Sequence, residues 1–192
     1  AAESHDEASA SELGPTLLTL ARNAIAAHFG QTQAPVAVDL PELAKMGATF
    51  VTLTQQGQLR GCIGSLEAWR PLAQDVQENA CAAAFRDPRF EPLRAEELPH
   101  TRVEVSLLTP PEPMQFSSEA DALAQLRPNV DGVIFTAGGC RSTFLPQVWE
   151  QLPEPREFMA RLKQKAGLAA SYWGPDVGLE RYTVHKWKEA QP

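Results

Sequence analysis

Two stretches of this chain read as strand, tight turn, strand, and they set the class of fold open to it. ATFVTLT (48–54) is rich in β-branched and aromatic residues, QQGQ follows, and LRGCIG (59–64) resumes the strand. GVIFTAGGCRSTFL (132–145) repeats that layout around a Gly-Gly turn. Hairpins make antiparallel neighbours without a crossover helix. TRVEVSLLT (101–109) sets Val103, Val105 and Leu107 against Glu104 and Ser106, the alternation of a half-buried strand, and LERYTVHKW (179–187) reads as one terminal strand.

The helices lie between these strands. Pro15 is expected to open the first, in which Leu17, Leu18, Ala21, Ile25, His28 and Phe29 recur at three- and four-residue steps before Gly30. The stretch 31–47 is punctuated by proline, with one short turn over 41–45. Pro71 starts the second helix, whose Leu72, Val76, Ala80 and Ala83 share a face, and DPRFEPL (87–93) forbids its continuation. A serine-capped short helix is expected over 117–127, followed by a PNVDG turn, and a longer one over about 155–166 with Phe158, Leu162 and Ala166 inward. No strand–helix–strand repeat dominates. The class is α+β, with mainly antiparallel sheet and flanking helices.

Charge and cysteine content narrow the function. Seventeen basic and 24 acidic side chains leave a net charge of −7, which argues against a broad basic face for nucleic acid. Three cysteines, Cys62, Cys81 and Cys140, are too few for a disulfide scaffold and fit a reducing, cytoplasmic setting. No run of 18 apolar residues is present, so no membrane span is expected. AAESHDEASASELG lacks the basic and apolar regions of a secretory signal. Residues 1–13 are expected to form a loosely ordered tail and 14–189 a single domain.

The common signatures of phosphate, dinucleotide, zinc and serine-hydrolase chemistry are missing, so neither a metal nor a cofactor is expected. The most informative segment is Leu59-Arg60-Gly61-Cys62-Ile63-Gly64. Two glycines inside a strand suggest a bulge or the close approach of another group. In a regular strand Arg60 and Cys62 share a face, about 7 Å apart. At an effective dielectric near 20 that favours a thiolate by about 2 kcal/mol. Two readings of Cys62 follow: a reactive thiol, or a small hydrophobe beside a bulge.

Cys81, in the alanine-rich ENACAAAF, is read as core, and Cys140, beside a turn, is left unassigned. In DPRF, Asp87 either orients Arg89 as a fork of donors for a ligand or braces the loop. RSTFLP places Arg141 and Thr143 on one strand face, either as a binding surface or as the polar side of a hairpin. His5, His28, His100 and His185 have no partner at ligand or base spacing and are read as structural.

Together the segments LRGCIG (59–64), AFRDPRFEPL (84–93), VEVSLLT (103–109), DGVIF (131–135), RSTFLPQVW (141–149) and LKQKAG (162–167) stand in the order of one family. The chain resembles the AMME chromosomal-region-gene-one domain family, whose bacterial members are called AmmeMemoRadiSam system protein A. The likeness covers about residues 15–188, and LRGCIG is its hallmark. It implies an α+β fold of two intertwined subdomains, with the hallmark near a cleft between them. It also implies genomic association with a Memo-type protein, similar to class III extradiol dioxygenases, and with a radical S-adenosylmethionine (radical SAM) enzyme.

The resemblance supplies no reaction. The residues matching its motifs are Arg60, Gly61, Cys62, Gly64, Asp87, Arg89, Glu104, Arg141 and Thr143. One expectation is a nucleophile or covalent carrier at Cys62, with Arg60, Arg89 and Arg141 converging on a small anionic ligand and Asp87 or Glu104 orienting them. The other is a non-catalytic accessory or regulatory module that docks a Memo-type partner or a small anionic ligand.

Overall fold

The computed structural model describes residues 2–36 and 40–192, with side chains from residue 12 onward. In chain order the first half holds α1 (Ala2–His28), β1 (Ala48–Gln55), β2 (Gln58–Gly64), α2 (Leu72–Phe85) and β3 (Arg102–Leu108). The second half holds β4 (Glu112–Pro113), α3 (Glu119–Gln125), β5 (Gly132–Ala137), β6 (Cys140–Phe144), α4 (Pro155–Lys165), β7 (Val177–Tyr182) and β8 (Val184–Lys188). The fold is α+β, as the hairpin pattern requires. Two compact units divide it: residues 1–108 with 185–192, and residues 109–184. Among the described residues no helix is long and apolar enough to cross a membrane.

The first unit is built on a sheet of order β2-β1-β3-β8. The β1–β2 hairpin turns through Gln56 and Gly57, whose φ angles of 52° and 77° match the twist of the strands they join. Alternate residues Val51, Leu53, Val103 and Val105 point to one face, because strand side chains repeat every second residue. There they pack against Leu17, Ala21 and Ile25 of α1 and against Val76, Ala80 and Ala83 of α2. All ten side chains are almost completely removed from water. Each large one contributes about 1.5–3 kcal/mol to folding.

The second unit is a sheet of order β4-β7-β5-β6 covered by α4. Val133, Phe135, Ala137 and Leu179 meet Phe158 and Leu162, and Trp149 stacks on Phe158 with centroids 3.7 Å apart. The indole N–H of Trp149 donates to the carbonyl of Asp131 at 2.7 Å, so the buried ring keeps its hydrogen bond. Ser118 caps α3 by accepting the N–H of Asp121 at 3.1 Å.

Three expectations need correction. Pro15 lies inside α1 rather than at its start. Leu13 is already buried in the core, and a Cβ at Gly14 would collide with the Trp187 ring, so packing holds the helix together across the proline. The tail expected over 1–13 falls mostly on residues whose side chains lie outside the description. Next, 179–187 is not one strand. It breaks at Thr183, with β7 in one sheet and β8 in the other. Thr183 and Thr109 hold the break: the N–H of Thr109 donates to the Thr183 carbonyl at 2.9 Å, and the N–H of Thr183 to Thr109 Oγ1 at 2.8 Å. Finally, Cys81 is half-buried rather than core, its Sγ 3.6 Å from the Ala24 carbonyl of α1. Burial there pushes its thiol pKa up.

Candidate functional site

The two glycines of the hexapeptide have different tasks. Gly61 stands opposite Leu53 on the helix-facing side, and a Cβ there would run into the carbonyl oxygen of Ala83 in α2. Strand backbone and helix backbone therefore touch, which only glycine permits. Gly64 pairs with Phe50 on the opposite side, where the phenyl ring lies over the space a Cβ would fill.

Cys62 shares that second side, the face turned away from α1 and α2. Directly across from it is Thr52, and across from Thr52 is Glu104 on β3. The Thr52 hydroxyl and the Cys62 sulfur are 3.3 Å apart, within hydrogen-bond reach. Glu104 lies 3.6 Å from the ammonium of Lys188 on β8. A thiol, a hydroxyl, a carboxylate and an ammonium group thus form one polar row across the sheet.

Arg60 does not join the row. The β1–β2 register runs Leu53 to Gly61 and then Thr54 to Leu59, so Arg60 is the extra residue of a β-bulge. A bulge interrupts alternation, and the regular spacing expected between Arg60 and Cys62 does not hold. The Arg60 guanidinium instead donates to both Glu97 carboxylate oxygens at 3.1 and 3.2 Å and to the Glu91 carbonyl at 2.8 Å. Its Nη1 is buried without a hydrogen-bond partner.

The DPRF segment completes the site in a way no local pattern announces. β2 is an edge strand, and Cys62 turns its backbone N–H and C=O outward. Asp87 Oδ2 accepts that N–H at 3.0 Å, and Arg89 Nη2 donates to that carbonyl at 3.2 Å. Asp87 and Arg89 are joined by three further bonds: the Arg89 N–H and Nε donate to Oδ1 at 3.1 and 3.0 Å, and Nη2 donates to Oδ2 at 2.7 Å. The pair does for Cys62 what a neighbouring strand would do, answering one donor and one acceptor. The two motifs are one device.

Asp87 is buried, yet its carboxyl is held far below the usual range. The largest cause is the hydrogen bond from Arg89, with the backbone N–H groups of Cys62 and Arg89 adding to it. Its partner Arg89 is raised in turn, first by Asp87. The Arg89 side chain remains 55% exposed and presents positive charge beside Cys62. Phe90 separates the two arginines, with the Arg60 and Arg89 guanidinium carbons 5.9 and 5.5 Å from its ring centroid.

Of the sequence-predicted residues, Arg60, Gly61, Cys62 and Gly64 stand in the hexapeptide itself, Asp87 and Arg89 bind the Cys62 backbone, and Glu104 lies across β1 from Cys62. Arg141 and Thr143 belong to β6 in the second unit. Arg141 is exposed there, and Thr143 Oγ1 lies 3.1 Å from the Tyr182 hydroxyl. Among the described residues no set of three or more His, Cys, Asp or Glu is arranged around a metal position.

Sequence reasoning missed Asp75, which is completely buried. Its Oδ2 accepts the N–H and hydroxyl of Thr49, both at 2.7 Å, and the amide of Asn79 at 3.1 Å. Its Oδ1 accepts the Ser65 hydroxyl at 2.6 Å and Arg70 Nε at 2.8 Å. This knot ties the start of β1 and the end of the hexapeptide strand to α2. An acid in a helix first turn, with asparagine four residues on, was the available signal.

Comparison with known proteins supports the family resemblance. The AMMECR1 family model matches residues 18–187. A protein of Methanothermobacter thermautotrophicus is 39% identical over 180 residues, covering 92% of this chain and 94% of its own. One from Thermococcus gammatolerans is 37% identical over 194 residues, covering 94% and 92%. The crystal structure of protein PH0010 from Pyrococcus horikoshii superposes with a TM-score of 0.76 at 33% identity, covering 93% of this chain and 92% of that one. The chain belongs to the AMMECR1 family.

Proposed function

We propose that Cys62 is the reacting group of a thiol site selective for anionic electrophiles, acting as a nucleophile or a covalent carrier. The contact that carries the reading is the 3.3 Å approach of the Thr52 hydroxyl to the Cys62 sulfur. Beside it stands an exposed guanidinium whose position Asp87 fixes. Thr52 can donate to the thiolate, while Arg89 attracts a carboxylate or phosphate on the incoming molecule. Glu104, opposite Thr52 on β3 and 3.6 Å from the Lys188 ammonium, would help to orient the incoming molecule. A Memo-type protein and a radical SAM enzyme are the partners with which such a carrier would exchange its load.

Paired alkylating reagents test this. Iodoacetate and iodoacetamide differ mainly in charge, so a thiol beside Arg89 should favour iodoacetate more than free cysteine does. If Cys62 shows no such preference, the anion-directed reading fails. An adduct search by intact mass, on protein purified with the two partners, tests the carrier role directly.

One observation favours a second reading, that of a non-catalytic binding module. Both oxygens of Asp87 and most donors of Arg60 are consumed by internal bonds, as in a brace. In that case Cys62→Ser would retain partner binding and every downstream effect.

A further inference from the structure

The first sheet has two faces, and α1 and α2 both pack on one of them. The other carries Cys62, and backbone hydrogen bonds fix what else stands on it. The N–H of Glu189 donates to the Val103 carbonyl at 3.0 Å, and that of Thr109 to the Thr183 carbonyl at 2.9 Å, so β8 runs antiparallel to β3. That register sets Lys188 opposite Glu104 and Lys186 opposite Ser106. Trp187, between the two lysines, points to the helix side, where its ring fills the space a Cβ on Gly14 would need. The polar row from Cys62 to Lys188 therefore has a second row beside it, running from Gly64 through Phe50 and Ser106 to Lys186.

Charge on this face runs against the charge of the chain. The protein carries −7 overall, yet Glu104 is the one acidic residue in the four strands of this sheet. Strand alternation puts Arg102, Lys186 and Lys188 on the same face as Glu104. Glu104 offsets Lys188, whose side chain is still 48% exposed. Arg102 donates to the Glu189 carbonyl, an acceptor with no net charge, and Lys186 is exposed. The β3–β8 end of the face therefore keeps an excess of positive charge, at the opposite side of the sheet from Arg89.

Strand spacing gives the scale. Cys62 and Lys188 are three strands apart, about 14 Å between backbones. The Lys188 ammonium leans back to within 3.6 Å of Glu104, which shortens its separation from Cys62 to about 10 Å. Between them the floor is Thr52 with the half-buried Phe50 ring beside it, a surface suited to an uncharged linker. We infer that the ligand of this face is elongated, with a carboxylate or phosphate about 10 Å from its reacting carbon, and that Lys186 and Lys188 hold that remote anion. The inference rests on Cys62 being the reacting group and adds a second anionic end to its ligand.

Three iodoacetyl probes test it on the intact protein: N-iodoacetyl-6-aminohexanoate, its uncharged primary amide, and the short acid N-iodoacetylglycine. In each reaction the Cys62 thiolate displaces iodide, a C–S bond replaces the C–I bond, and the thiol proton passes to buffer. Extended, the long acid sets its carboxylate about 10 Å from the reacting carbon, while the short one cannot reach the lysines. Peptide mass mapping reads the rate at Cys62 relative to free cysteine. The long acid should exceed both other probes by about threefold, and the double variant Lys186→Gln/Lys188→Gln should abolish that advantage. Both lysines are exposed, so the variant keeps its fold. A long acid no faster than its amide, or an advantage that survives in the variant, overturns the remote subsite. Iodoacetate against iodoacetamide reads the Arg89 end separately, so either end can fail without the other, and a Cys62 that no probe modifies sinks both.

Discussion

Replacing Asp87 by alanine removes the acceptor that holds an edge-strand cysteine in place, and its consequence can be worked from the structure. The carboxylate accepts four bonds, from the N–H groups of Cys62 and Arg89 and from Arg89 Nε and Nη2. Removing one partner of a buried, hydrogen-bonded ion pair costs about 3–5 kcal/mol. Here the Arg89 side chain is 55% exposed and regains water, which trims the loss to about 2–3 kcal/mol. Arg89→Ala leaves Asp87 the two backbone donors and should cost less, about 1–2 kcal/mol. The double variant should fall short of the sum, because both changes break the same bonds.

The pH dependence has a definite sign. The folded pKa of Asp87 is depressed, so its contribution is complete above the unfolded value of about 3.9 and fades as pH falls from there toward the folded value. Urea unfolding at pH 7 and at steps below pH 4 therefore checks two things in one series. Wild type and Asp87→Ala should differ most at neutral pH and converge in acid. A cost under about 0.5 kcal/mol at pH 7, or a gap that does not narrow in acid, would refute the edge-strand clamp.

Other outcomes follow from the same structure. Gly61→Ala forces a methyl group against the Ala83 carbonyl of α2 and should destabilise by about 1–3 kcal/mol or more, read by thermal unfolding. Gly139→Ala, which meets nothing within 4 Å, is the contrasting control. Removing residues 1–11 should leave the melting temperature nearly unchanged, whereas removing 1–13 also takes the buried Leu13 and should cost about 2 kcal/mol more. In alkylation at neutral pH, Cys62 should react before Cys81, whose thiol is raised by burial against α1. Cys81 should catch up as pH rises, read by peptide mass mapping.

The parts of this protein legible in its sequence are those set by short-range periodicity. Two-residue alternation marked β1, β3 and the β5–β6 hairpin, and three- and four-residue steps marked the buried stripes of α1, α2 and α4. The glycines at 61 and 64 announced close approach, though not that the approaching groups would be the Ala83 carbonyl and the Phe50 ring. Tertiary structure alone decided the rest, because it depends on which distant groups meet. The break at Thr183 exists because Thr109, 74 positions away, supplies its partner. Arg60 is withdrawn from Cys62 because one bulged residue reverses the alternation and Glu97 captures the guanidinium. Asp87 and Arg89 read locally as a turn, yet they satisfy backbone groups of a cysteine 25 and 27 positions earlier. Hydrogen bonds of that separation leave no periodic trace in a chain. They are chosen when packing brings an unpaired N–H and C=O to a sheet edge, where leaving them unmet would be costly.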